Sequence, residues 1–149
     1  MKYHNQQFVR WDDIDALGHV NNAKYLTYAQ EARFHWSFYQ FSERNETPFF
    51  IDMVVARAEV DFIVPIYEGG LFVDVHIWVE SVGTSSFVLN YEISSNGVLH
   101  ARIKTVQVAI SLETKKSRPL SDKEREFLKE YLLWHLGISE FGGAMPSLT

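Results

Sequence analysis

At 149 residues, 46% hydrophobic and 22% charged, the chain has the size and composition of one soluble globular domain and is too short for two separate cores. A net charge of −5 argues against a nucleic-acid surface, which needs concentrated Lys and Arg, but leaves room for a local basic patch meeting one anionic group. With Cys 0 there are no disulfides or thiolate chemistry, and with no signal-like apolar stretch or run near the ~20 residues of a membrane span, a cytoplasmic location is expected.

Phe8, Val9, Arg10 and Trp11 read as a short strand leading into a turn that packs Asp12, Asp13 and Asp15 into four residues. Gly18 and then His19-Val20-Asn21-Asn22 follow. From about Asn22, the apolar positions Tyr25, Leu26, Ala29, Ala32 and Trp36 recur at three- and four-residue spacing. That spacing predicts an amphipathic helix to about Phe41, with Asn21 as its N-cap.

After a polar break at 42–48 the period changes to two. Ala56, Ala58, Val60, Phe62 and Val64 alternate with Arg57, Glu59 and Asp61 up to Pro65, and Gly69-Gly70 turns the chain. Leu71, Val73, Val75, Ile77 and Val79 then alternate with Asp74, His76 and Glu80, and Gly83 to Ser86 separates them from Phe87, Leu89, Tyr91 and Ile93. Asn96-Gly97 is a strong hairpin signal, because both central residues of that turn type need positive φ. The last strand spans 98–110, roughly 40 Å at ~3.3 Å per residue. Ser121 and Glu124 form a capping box for a second helix whose face carries Phe127, Leu128, Tyr131, Leu132 and His135 and which Gly137 ends. The domain is thus expected over 1–137, with 138–149 a loose tail.

One long helix followed by a meander of antiparallel strands is an α+β layout. A single curled sheet of about five strands wrapped on one helix leaves edges and a face uncovered, so a homodimer or homotetramer is expected.

The Asp-rich turn suggests chemistry. A helix amino end offers unpaired N–H groups and partial positive charge, which can hold a carbonyl oxygen while a neighbouring carboxylate acts on the carbonyl carbon. The segment 11–33 closely resembles the D-x-D-x-x-G-x-V-x-x-x-x-Y pattern of hotdog-fold acyl-CoA thioesterases of the 4-hydroxybenzoyl-CoA thioesterase type. Asp13, Asp15, Gly18, Val20 and Tyr25 occupy its positions, and Tyr28, Glu31 and Arg33 continue it. The G-H-V-N-N-x-K-Y portion is also similar to plant acyl-ACP thioesterases. The likeness runs to about Leu112.

The resemblance implies a hotdog fold and hydrolysis of an acyl-CoA or acyl-ACP thioester to free acid and thiol. It implies no cofactor beyond the coenzyme A of the substrate, no nucleic-acid or membrane partner, and active sites at a subunit interface. It makes Asp15 the nucleophile or general base and Asp13 a structural carboxylate, leaving Asp12 to solvent. The backbone N–H of Asn22 polarises the thioester oxygen, and Gly18 permits close backbone approach. His19 joins this group, in a positioning or structural role, with a general base as the alternative. Glu31 is a reserve base, for which an ion pair locking helix to sheet is the simpler role. Arg102, Lys104, Lys115, Lys116 and Arg118 are candidates for the coenzyme A diphosphate, and Trp36, Phe38 and Phe62 for an acyl channel or plain core. His4, His35, His76, His100 and His135 show no metal-ligand spacing, and no Ser-His-Asp order is convincing. The alternatives are a hotdog hydratase or dehydratase and a non-catalytic acyl-CoA-binding module.

Overall fold

The computed structural model describes residues 1–132. In chain order it has β1 (Tyr3–Val9), a 3-10 turn (Trp11–Asp13), α1 (Asn22–Phe34), a π-helical turn (His35–Tyr39) and α2 (Gln40–Glu43). Then come β2 (Met53–Phe62), β3 (Leu71–Val82), β4 (Ser86–Ser95), β5 (Val98–Ala109) and α3 (Asp122–Lys129). The strands form one antiparallel sheet in the order β1-β3-β4-β5-β2, with α1 packed against β1, β3, β4 and β5. This is the expected α+β hotdog arrangement.

The period-two pattern explains the core. Val73, Val75, Ile77 and Val79 of β3 and Phe87, Leu89, Tyr91 and Ile93 of β4 are all buried, facing Tyr25, Tyr28, Ala29 and Ala32 of α1. Each such apolar side chain contributes about 1.5–3 kcal/mol on burial, and the small Ala29 and Ala32 let the helix axis come close to the sheet. The Asn96-Gly97 hairpin forms as the sequence indicates, with φ of 48° and 77° at its two central residues.

Four details depart from the sequence reading. Leu26, expected on the buried face, is 39% exposed, while Tyr28 is buried because its hydroxyl donates to Asp13. The long helix continues past Phe34, but through a wider π turn. There Ser37 Oγ donates to the Arg33 carbonyl at 2.9 Å and Gln40 Nε2 donates to the Trp36 carbonyl. Strand β2 starts at Met53 rather than Ala56 and ends at Phe62, and a bulge between Val55 and Arg57 shifts its parity. Most of β2 is exposed on both faces, because α1 packs against the other four strands.

The capping box of the second helix is present, Ser121 Oγ accepting from the Glu124 N–H at 3.1 Å and the Glu124 carboxylate from the Ser121 N–H at 2.8 Å. The helix ends at Lys129, however. Tyr131 and Leu132 follow it as buried residues, and the Tyr131 carbonyl accepts from the Val79 N–H at 2.8 Å. His135, Gly137 and the expected tail at 138–149 lie outside the described residues.

Candidate active site at the amino end of the central helix

Between β1 and α1 the chain closes a tight loop. Ile14 bridges to Val20, the Asp15 N–H donates to the His19 carbonyl at 3.0 Å, and the Gly18 N–H donates to the Asp15 carbonyl at 3.0 Å. Gly18 sits at φ +85°, a conformation that L side chains rarely adopt, so the loop needs its glycine. The Asp15 carboxylate accepts from the Leu17 N–H at 2.9 Å through one oxygen and from the Asn21 amide at 3.4 Å through the other. It remains half-buried at the loop mouth.

Asn21 links this loop to the helix. Its side-chain oxygen accepts from the Ala23 N–H at 3.0 Å, as a cap should, and its carbonyl accepts from the Lys24 N–H at 2.9 Å. Those two bonds satisfy the second and third N–H groups of α1. The first, on Asn22, has no acceptor among the described residues. The helix therefore presents one free N–H at its positive end, one residue from the amide that touches Asp15. The sequence identified Asn21 only as a cap; the free NH₂ of a capping amide was the available hint that it also reaches the carboxylate.

Asn22 also lines a small pocket of about 90 Å³ with His19, Tyr25, Phe62, Pro65 and His100. His19 is half-buried there, its ring edge-on to Tyr67 at 6.3 Å. His100 fixes the opposite wall, with Nδ1 bonded to the Val64 carbonyl at 2.8 Å and Nε2 to Ser95 Oγ at 2.6 Å. The same strap accepts the Val20 N–H at the Ile66 carbonyl, 2.8 Å away, and so helps set the start of α1.

Asp13 is 1% exposed and bound on all sides: the Tyr28 hydroxyl donates at 2.7 Å, the Arg10 N–H at 3.0 Å and the Arg10 guanidinium at 3.3 Å, with Lys24 Nζ at 3.7 Å. Burial pushes its carboxyl up, but the Tyr28 and Arg10 hydrogen bonds and the two cations together hold it below its ordinary value. In turn, burial and the Asp13 charge push the Tyr28 hydroxyl well above its ordinary value.

Several candidates sit differently from the sequence expectation. The ion pair expected of Glu31 is not formed: Glu31 is exposed and has no cation partner among the described residues. Helix and sheet are tied instead by Arg33, which donates to the Tyr91 hydroxyl at 3.0 Å. Arg118, a candidate for the diphosphate, is already engaged. Its guanidinium donates to both oxygens of Asp52 at 2.6 and 2.9 Å and of Glu124 at 2.9 and 3.1 Å, pairings that push its pKa further up. Arg102 and Lys104 each face one acid, Glu92 at 3.8 Å and Glu80 at 3.0 Å. Lys115 and Lys116 are exposed, without an acidic partner among the described residues. Phe62 lines the small pocket and Trp36 a second, larger one, whereas Phe38 lines neither. Among the described residues no group of three or more His, Asp or Glu is placed to hold a metal ion.

A carboxylate beside the amino end of the central helix of a hotdog fold is the arrangement of a thioesterase-like class. Residues 9–130 match the thioesterase-like superfamily, and the chain belongs to it. It is 32% identical over 120 residues to the 1,4-dihydroxy-2-naphthoyl-CoA hydrolase of Microcystis aeruginosa, covering 78% of this chain and 85% of that protein. Among solved structures it is similar to a predicted thioesterase from Bacillus stearothermophilus (27% identity, TM-score 0.76, covering 89% of this chain and 97% of the other). It is also similar to a thioesterase from Thermus thermophilus solved with coenzyme A and Zn (30% identity, TM-score 0.70, covering 86% and 92%).

Proposed function

We propose that this protein hydrolyses acyl-CoA thioesters to free acid and coenzyme A, with Asp15 as the acting carboxylate. The observation that carries the reading is that this carboxylate accepts from the Asn21 amide, the cap of a helix whose first N–H, on Asn22, has no acceptor among the described residues. The thioester oxygen accepts from Asn22 N–H, where the helix end stabilises the negative charge that develops on it. Asp15 either attacks the carbonyl carbon, forming an acyl anhydride that water then opens, or takes the proton of a water that attacks directly. In both routes the C–S bond breaks, the sulfur leaves as thiolate and takes up a proton, and the acid is released. Gly18 closes the loop, and His19 positions the acyl group from the pocket wall.

The relatives favour coenzyme A as the carrier, since one is named for a CoA thioester and another was solved with coenzyme A. The direct test offers short, long and aromatic acyl-CoA and acyl-ACP thioesters and identifies the acid and thiol products by mass spectrometry. Release from acyl-CoA at rates above acyl-ACP is expected; release from acyl-ACP alone would move the carrier assignment. We assign the diphosphate to Lys115 and Lys116, the two basic candidates without an acid among the described residues; Arg102 and Lys104 lie further back along β5, each on its own acid. Replacing both Lys115 and Lys116 by Ala is expected to raise KM for acyl-CoA several-fold with kcat little changed, most visibly at low salt. An unchanged KM would place the nucleotide elsewhere.

The working unit in this reading is a homodimer or a dimer of dimers in the cytoplasm, built from the domain at 1–137. Supporting it, β2 is an unpaired edge carrying exposed Val54, Val55 and Phe62, and α1 turns Leu26 and Phe34, 39% and 42% exposed, away from its own sheet. Light scattering is expected to give a mass of at least twice the 17.3 kDa of one chain, and activity is expected to fall on dilution through the dissociation range. A fully active species of one-chain mass would contradict this.

A further inference from the structure

The larger pocket, about 380 Å³, opens between α1, the π turn, β2 and the inner face of β5. Phe34, Trp36, Phe50 and Phe87 give it aromatic walls, with Arg33 and Gln107 among its polar lining residues. Among the described residues no Asp or Glu lines it. Arg33 is half-buried, and the one described bond of its guanidinium is neutral, to Tyr91 Oη; that hydroxyl is bonded in turn to Thr105 Oγ1 at 2.8 Å. No carboxylate lies within ion-pair distance of Arg33 among the described residues. Gln107 is 2% exposed. Its Nε2 donates to Thr105 Oγ1 at 2.8 Å, and the other end of its amide bonds to no described residue.

A cation withdrawn from water into an aromatic wall is costly unless an anion meets it. A bound ligand carrying a negative oxygen would relieve that cost, because Arg33 has N–H groups to spare and Gln107, whose Nε2 carries a second N–H, lines the same pocket. We propose that this pocket selects the acyl group by an anionic oxygen substituent: the substrate is a carboxylate-bearing acyl-CoA, held at its far end by Arg33 and Gln107. The proposal rests on the thioesterase reading and names the substrate class for it, whichever chain's Asp15 receives the thioester. The flat aromatic walls suit a ring between the thioester and the carboxylate.

The test compares 6-methyl-, 6-hydroxy- and 6-carboxy-2-naphthoyl-CoA as substrates, and measures binding of free 2,6-naphthalenedicarboxylate by calorimetry. The carboxy substrate is expected to exceed the methyl one in kcat/KM by about tenfold or more, with the hydroxy substrate between them. In Arg33→Met that ratio falls to about one, in Arg33→Lys it is partly kept, and in Gln107→Glu it drops below one as a like charge enters the pocket. Melting curves establish that the variants fold, and the Lys and Glu variants serve if Met does not. A native ratio near one, a hydroxy substrate preferred over the carboxy one, or a ratio that survives Arg33→Met would overturn the proposal. So would a change in self-association alone, which would mean that a second copy supplies the missing acid. If no naphthoyl-CoA releases thiol, the hydrolysis reading fails separately. Saturable dicarboxylate binding lost in Arg33→Met would still support the pocket, and no binding would overturn it.

Discussion

Replacing Asp15 by Asn is expected to lower kcat by roughly 10²–10⁴-fold, with the fold and the affinity for acyl-CoA largely kept. The amide has the size of the carboxylate and can still accept from the Leu17 N–H, which holds the loop. It can serve neither as a nucleophile nor as an effective base, so the loss falls on the chemical step and appears in kcat rather than KM. Glu31→Gln is the control, because Glu31 is exposed on α1 and should affect the rate far less. A near-normal Asp15→Asn together with an inactive Glu31→Gln would move the catalytic carboxylate to the helix.

The second large effect is on stability. Asp13→Ala removes a buried carboxylate from the Tyr28 hydroxyl, the Arg10 N–H and two cations, leaving the Tyr28 donor without its partner. Breaking a buried, hydrogen-bonded charge network of this kind costs about 3–5 kcal/mol, or roughly 10 °C in melting temperature for a chain of this size. The pH dependence has a definite sign. Asp13 titrates below its unfolded value of about 3.9, so its contribution is complete above that pH and disappears as pH falls through the folded value. Asp52 and Glu124 are also held low, by the Arg118 pairings in both cases, although burial opposes the shift and is the largest influence on Glu124. The native protein is therefore expected to lose stability steadily below about pH 4, and the gap between native and Asp13→Ala to narrow there. Melting temperatures at pH 7 and pH 3 for both proteins measure this; a gap that widened in acid would contradict the assignment.

How far the sequence carried depended on how local each cause is. The start of α1 was legible because Asp15, Gly18 and the Asn21 cap lie within seven residues and satisfy one another there. The inner faces of β3 and β4 were legible because alternation is a property of the strand itself. Contacts between distant segments were not. Arg118 reads as a free cation among Lys115 and Lys116, yet Asp52, 66 residues away, captures it. Glu31 reads as the tie between helix and sheet, yet Arg33 makes that tie, to Tyr91, 58 residues away. Thr105 and Gln107 passed as ordinary members of an alternating strand, and only the sheet register beside Tyr91 turns them into a buried polar track beneath α1. The bulge at Ala56 likewise left no local mark, and the alternation along β2 does not give a buried face because α1 packs on the other four strands.

Thioester hydrolysis itself is most directly tested by following one saturated acyl-CoA and its enoyl counterpart with the native protein, recording free thiol and enoyl absorbance together. The account predicts thiol released from both, in step with free acid, and no loss of enoyl absorbance that outruns thiol release. Loss of the enoyl signal without thiol would make the protein a hydratase, and saturable binding with neither change would make it a binding module; either result contradicts the account.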